Sequence, residues 1–286
     1  MYSVIDQRNI KQEINQVLED TSLPALIEAI EANLVELSLL YCNWPKAEVY
    51  DGAEIVWTVT DVPFALFNSI LRARLAPHEV DDVIEAAITR ARLRNVPLLW
   101  WTDPNTQPSN LEVHLKKHDF SHIGDSPGMA VDLLNLNGHF QPFPELTVKT
   151  VNDLATLRLW SRILTQGFEL PEYAGNAFFD FYSNVGLGTD SPARHYIGWL
   201  KGEPVAVSSL FSGAGVAGIY NLATIPGARR QGAGSAMLMK PLQEARTIGY
   251  RIGILQASEM GFSVYRRVGF KEYCRMSHYM WSGDTK

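Results

Sequence analysis

The chain has 286 residues, 46% of them hydrophobic and 20% charged, with a formal net charge of -6 and two cysteines. That length suits two domains of roughly 140 residues each, and the composition holds enough apolar material for sizeable cores. The negative balance, with no long basic run, excludes general nucleic-acid attraction. No apolar run nears the roughly 18 residues needed to cross a bilayer, and the first residues lack the basic cap and apolar core of an export signal. Cys42 and Cys274 are too sparse for a disulfide framework. A cytoplasmic protein with no membrane partner is expected.

Residues 48–50 and 53–58 read as two short apolar strands around the turn Asp51-Gly52, a hairpin signal. A strand at 67–71 leads to a helix over 80–94, whose Val83, Ile84, Ala87 and Ile88 share one face. A strand at 97–100, a helix ending at Lys117-His118-Asp119-Phe120 and a strand at 129–133 complete the series. The turn formers between Leu136 and Pro144 mark a linker.

The same order then returns at an offset of about 150 residues, as in a tandem duplication. A hairpin over 196–200 and 204–208, a strand at 219–223, a helix at 235–245 and a strand at 252–255 repeat the pattern. A helix ending at Arg267-Val268-Gly269-Phe270 and a strand at 277–281 close it. The expectation is an α/β chain of two domains, 1–138 and 139–286, each a mostly antiparallel mixed sheet flanked by helices.

The two copies differ most between the third strand and its helix. The second copy reads Thr224-Ile225-Pro226-Gly227-Ala228-Arg229-Arg230-Gln231-Gly232-Ala233-Gly234-Ser235. Glycines at a helix start let a ligand approach the backbone and leave free N–H groups facing outward. The helix dipole adds partial positive charge, so this is an anion site suited to a diphosphate. Gly232 and Gly234 read alone could equally shape a turn. The first copy has Arg72-Ala73-Arg74-Leu75-Ala76-Pro77-His78-Glu79 there, with cations but no glycine, so no cofactor loop is expected in it.

The stretch from Tyr220 through Arg229, Gly232 and Gly234 resembles the cofactor motif of the GNAT N-acetyltransferase superfamily, Arg-x-x-Gly-x-Gly/Ala after a strand. Tyr265, Gly269 and Phe270 are similar to its closing Tyr-x-x-x-Gly-Phe. The resemblance covers about residues 146–281, the length of one such domain, and reaches the first half only through its strand order. It implies two GNAT-like domains in tandem, the second intact and the first degenerate. It also implies acetyl-CoA as donor, its pyrophosphate on Arg229, Arg230, Gln231, Gly232, Ala233, Gly234 and Ser235. The pantetheine arm would run along the backbone of Leu222, Ala223 and Thr224. Transfer would be direct, an amine attacking the thioester through a tetrahedral oxyanion, with Tyr265 serving the departing sulfur. Tyr265 could instead simply pack under the cofactor. Arg266 and Arg267 read as a solvated helix face.

Many family members place a carboxylate base on the strand before the motif, where Gly218-Ile219-Tyr220-Asn221 offers none. Glu169, Glu172, Asp180 and Glu259 lie in the right region, though each alone is more often a surface charge; Tyr220 or a water chain could serve instead. Ser208 and Ser209 could face substrate or solvent. The aromatic residues at 168–173 and 178–182 suit the walls of an acceptor pocket, and some must be core. The histidines, His195 among them, show no metal-ligand spacing and no metal is expected. The acceptor would be an amine of a small molecule or a protein. The alternative is a CoA-binding sensor or scaffold without catalysis. The first copy either shapes the acceptor site or serves as a packing platform or homodimer surface.

Overall fold

The computed structural model describes residues 17–136 and 145–283. The first half forms α1 (Leu23–Leu39), β1 (Ala47–Asp51), β2 (Val56–Thr60), β3 (Ser69–Leu71), α2 (Val80–Arg94), β4 (Leu98–Thr102), α3 (Leu111–Lys117) and β5 (Ser121–Asp132). The second half begins with β6 (Leu146–Thr150), α4 (Leu154–Phe168), α5 (Glu172–Val185), β7 (Ala193–Leu200) and β8 (Glu203–Gly213). It continues through β9 (Val216–Thr224), α6 (Ala233–Thr247), β10 (Ile252–Gln256), α7 (Glu259–Val268) and β11 (Lys271–Trp281). The mixed α/β architecture expected from the sequence is present. Residues 137–144 of the expected linker, and the N-terminal stretch read for an export signal, lie outside the described residues.

Local chemistry sets the helix ends. Asp153 accepts from the Thr156 N–H at 2.7 Å in a capping box, and α4 stops where Glu169 turns left-handed. In α2, Asp81 and Asp82 sit at the positive start while Arg92 and Arg94 sit at the negative end. Gly269 ends α7 at φ 114, and the Phe270 N–H then bonds back to the Tyr265 carbonyl.

Two compact units result. Of the described residues, one holds 35–127 and 274–283; the other holds 17–34 and 128–273. In the first, β1 to β4 are joined in order, antiparallel except for the parallel β3–β4 pair, and residues 277–281 of β11 pair antiparallel with β4. In the second, β6 to β10 are joined in order, again with one parallel pair, β9–β10, and residues 128–132 of β5 pair antiparallel with β10. The strand sets β1 to β4 with β11 and β7 to β10 with β5 therefore share a pairing pattern. Each takes its last strand from the other half of the chain, so the compact units depart from a single cut at residue 138.

The core of the first unit gathers Trp100, Leu98, Ile84, Leu111 and Leu115, all fully buried. That of the second packs Met237, Leu238 and Leu242 of α6 against Leu210, Leu255, Tyr265 and Phe270, with Met129 and Val131 from β5. Opposite sheet faces carry α6 and the α4–α5 pair. Ser208 donates to the Met237 carbonyl of α6 at 2.8 Å, while its neighbour Ser209 meets His195, which packs on Trp160 of α4 and Tyr182 of α5.

Candidate functional site

In the second unit, β9 and β10 pair only at Ala217–Gly253 and Gly218–Ile254. Beyond that point β9 runs on to Thr224, so the β10-facing main-chain groups of 219–224 gain no partner from that strand. The strand then enters a short 3-10 turn at Pro226–Ala228 and reaches α6.

Gly232 stands at the N-cap of α6 with φ 80, a left-handed conformation that a side chain strains by roughly 1–2 kcal/mol. No side chain caps this helix, so the N–H groups of its first turn, at Ala233, Gly234 and Ser235, are left to an outside acceptor. Gly234 is different. A Cβ built there would meet only Leu222, at 4.0 Å, so the protein itself does not demand a glycine. A close-fitting ligand would. The residues expected on the loop are therefore brought together: an uncapped helix start, open space above Gly234, and diverging strands leading up to it.

Arg229 takes a different place from a free cation. Its Nε donates to the Thr224 carbonyl at 3.2 Å and an Nη to the Gly167 carbonyl at 2.9 Å, with Glu169 beside it at 3.5 Å. It clamps the loop to the end of α4. Gly167 makes that contact close, since a Cβ there would stand 2.7 Å from the Ala223 Cβ. Arg230 and Gln231 are exposed, and Gln231 donates to the Gly227 carbonyl.

Tyr265 is buried in α7 against Phe270, and burial pushes its phenol up to about 12. Such a group stays protonated at neutral pH and can donate but not accept a proton. Its ring lies across the first turn of its own helix, where a Cβ at Gly261 would stand 2.6 Å from it. Arg266 and Arg267 are exposed.

The expected bases scatter. Glu172 and Glu259 are exposed, and Glu169 belongs to the Arg229 clamp. Tyr220 donates to Asn33 of α1 at 2.7 Å, and Asn33, fully buried, donates to the Gly213 carbonyl at 2.8 Å. Ser208 and Ser209 face neither substrate nor solvent, because β8 lies between helices and both hydroxyls are spent inside. His195 is structural and buried, its pKa lowered to about 3 by desolvation. Of the aromatic walls, Phe178, Phe181 and Tyr182 are core, while Phe168 and Tyr173 are exposed. Sequence reasoning missed Asn33 and Gly167; a glycine near the end of an amphipathic helix was the available signal for the latter.

In the first unit the equivalent space is closed. The Gln107 N–H donates to the Ala73 carbonyl at 2.9 Å and its carbonyl accepts from the Leu75 N–H at 3.0 Å, a parallel bridge onto the stretch after β3. Main-chain groups that an extended ligand would need are taken by the chain itself. Arg72 is likewise spent on Asp51 and the Gly52 carbonyl.

Residues 155–270 match the family model for Acetyltransferase (GNAT), and they span the diverging strands, the α6 loop and Tyr265. The likeness to the GNAT family is carried by this segment. The fold of the whole chain agrees. A GCN5-related N-acetyltransferase from Kribbella flavida superposes with a TM-score of 0.69 at 18% identity, covering 89% of this chain and 96% of that one. A tandem GNAT protein from the clavulanic acid biosynthesis pathway gives 0.57 at 11% identity, covering 95% and 98%. A GCN5-related N-acetyltransferase from Sphaerobacter thermophilus gives 0.59 at 14%, covering 93% and 94%. No curated protein sequence matches the chain. At these identities the likeness is one of fold, and it extends over both halves of the chain. Among the described residues no helix is long and apolar enough to cross a membrane.

Proposed function

We propose that the chain is an acetyl-CoA-dependent N-acetyltransferase with one donor site, on the loop between β9 and α6, and an amine of a small molecule or protein as acceptor. The observation that carries this reading is the divergence of β9 from β10 toward an uncapped helix start with open space above Gly234. When bound, acetyl-CoA supplies an acyl group activated as a thioester. The first-turn N–H groups at Ala233, Gly234 and Ser235, with the helix dipole, hold its diphosphate. Main-chain groups of Leu222, Ala223 and Thr224 hold its extended arm, Arg229 fixes the loop, and Arg230 lends exposed positive charge. Tyr265, protonated over the whole neutral range, donates toward the departing sulfur.

One observation favours a second reading, a CoA-binding protein without catalysis: residues 216–224 of β9 carry no carboxylate to act as base. Acetylation of any amine by the full chain excludes that reading. The donor site itself is tested by calorimetric titration of acetyl-CoA into the wild type and Gly232→Glu. The expected result is one site per chain, lost in the variant because the glutamate is strained at φ 80 and repels the diphosphate. A folded wild type that does not bind acetyl-CoA overturns the proposal.

A further inference from the structure

The first unit holds a cluster of charged side chains that the donor loop does not use. Helix α2 presents Asp81 and Glu85, one turn apart, and α3 with the residue that ends it presents His114, Lys117 and His118. Asp81 gathers all three. Its Oδ1 meets His114 Nδ1 at 3.0 Å and His118 Nε2 at 2.9 Å, and its Oδ2 accepts from Lys117 at 3.0 Å. Hydrogen bonds from His114, Lys117 and His118 hold the Asp81 carboxyl well below the usual carboxylate range, so its oxygens only accept. The second ring nitrogen of His118, Nδ1, stands 3.0 Å from Glu85 Oε1.

The two histidines differ in what these contacts demand. His114 needs one proton, on Nδ1, and a neutral ring has one to give. His118 faces a carboxylate oxygen with each nitrogen, and an ionised carboxylate has no proton to offer in return. A neutral ring would set a bare lone pair against one of the two oxygens. Both contacts therefore stand together only while His118 carries both ring protons. The ring is 11% exposed, against 41% for Asp81 and 62% for Glu85, so water reaches the carboxylates far more than the ring between them. His118 also closes α3. Its main-chain N–H bonds back to the His114 and Leu115 carbonyls, and the Phe120 N–H follows to Leu115. Leu111, Leu115 and Phe120 seat this end of the helix in the core with Trp100 and Ile84.

We infer that His118 is a pH-operated clasp between α2 and α3: with both ring protons it ties the end of α3 to Asp81 and Glu85 together, and on losing one it releases one carboxylate and loosens that end of the helix. The charged and titratable groups facing the ring are Asp81 and Glu85 from α2, and His114 and Lys117, which share Asp81 with it, from α3. A clasp that needs the second proton is made on the acid side and undone as pH rises. This is the reverse of His195, whose burial resists protonation. The inference is independent of the donor site, since every residue in it belongs to the first unit.

The test is NMR on the full-length chain from about pH 5 to about pH 9, a range that spans histidine titration. Ring nitrogen shifts of His118 count its protons, and hydrogen exchange at the His118 and Phe120 amides, corrected for the intrinsic effect of pH, reads the end of α3. In the wild type, protection of these amides falls about tenfold in step with the loss of a ring proton, the worth of one charged hydrogen bond. Glu85→Gln removes that step, because a carboxamide offers an oxygen to a ring N–H and an N–H to a bare ring nitrogen, so the contact stands in both states. His118→Gln, neutral throughout, shows the lowered protection at every pH. Protection that ignores the His118 titration overturns the inference, and so does a step that survives in Glu85→Gln. Glu85 is exposed, so this variant carries the test should His118→Gln fail to fold.

Discussion

The Arg229 guanidinium donates to the main-chain carbonyl of Gly167 at 2.9 Å, joining the loop after β9 to the last turn of α4. A second donation, to the Thr224 carbonyl, makes the same side chain a brace within the loop. Charged donors to carbonyls contribute roughly 1.5–3 kcal/mol, and this one is partly exposed, so about 1–2 kcal/mol is expected. Arg229→Ala should lower stability by that amount in urea titration and weaken acetyl-CoA binding about tenfold. Arg229→Lys should recover little, since a point charge cannot fork between two carbonyls. Unchanged stability with binding abolished would mean the guanidinium holds the ligand directly.

Gly234 separates the needs of the fold from those of the ligand. It lies in the first turn of α6, and a methyl group added there would find no neighbour nearer than Leu222 at 4.0 Å. Alanine in a helix is better than glycine by roughly 0.5–1 kcal/mol. Gly234→Ala should therefore raise the melting temperature while lowering acetyl-CoA affinity. A stabilised variant with wild-type affinity would show that no ligand approaches this turn.

Tyr265→Phe removes a hydroxyl and leaves the ring packed on Phe270 and Gly261. Acetyl-CoA affinity should stay within about twofold, whereas kcat for amine acetylation should fall about 100-fold, the low end of general-acid effects. Because the phenol ionises only near 12, it should impose no fall in rate between neutral pH and about pH 9. A kcat unchanged by the substitution would assign the hydroxyl a packing role alone.

The hairpins, the helix after each third strand and the α6 loop were legible because each depends on residues close in sequence: periodic apolar positions, Gly232, or Tyr265 followed by Gly269. Three features were not. The exchange of residues 128–132 and 277–281 is invisible because both stretches read as apolar strands and either suits the edge it joins. Asn33 reaches Tyr220 across 187 residues, and nothing in an α1 sequence flags one asparagine as buried. Ser208 and Ser209 read as polar residues facing either substrate or solvent, yet adjacent strand positions point to opposite faces, and both faces here are covered. The Arg229 clamp was half legible: the motif located the arginine, but only the approach of α4 at Gly167 supplied its acceptor.

His195 gives the fold a weakness on the acid side. Burial holds its folded pKa at about 3, against about 6.5 in an unfolded chain. Below about pH 6.5 the unfolded state therefore binds a proton that the folded state refuses, and stability falls by 1.36 kcal/mol per pH unit, or about 2 kcal/mol by pH 5. His278, depressed to about 4 by burial, adds a loss in the same window. Asp81 and Asp153, whose carboxyls are held low by hydrogen bonds, stabilise the fold above their unfolded values and lose that contribution only below about pH 4. Urea midpoints at about pH 7 and about pH 5 should thus drop markedly in the wild type. They should drop much less in His195→Gln, with the His278 share remaining. Equal acid losses in the two proteins would mean that His195 gains its proton without unfolding, and that its contact with Ser209 yields before the fold does.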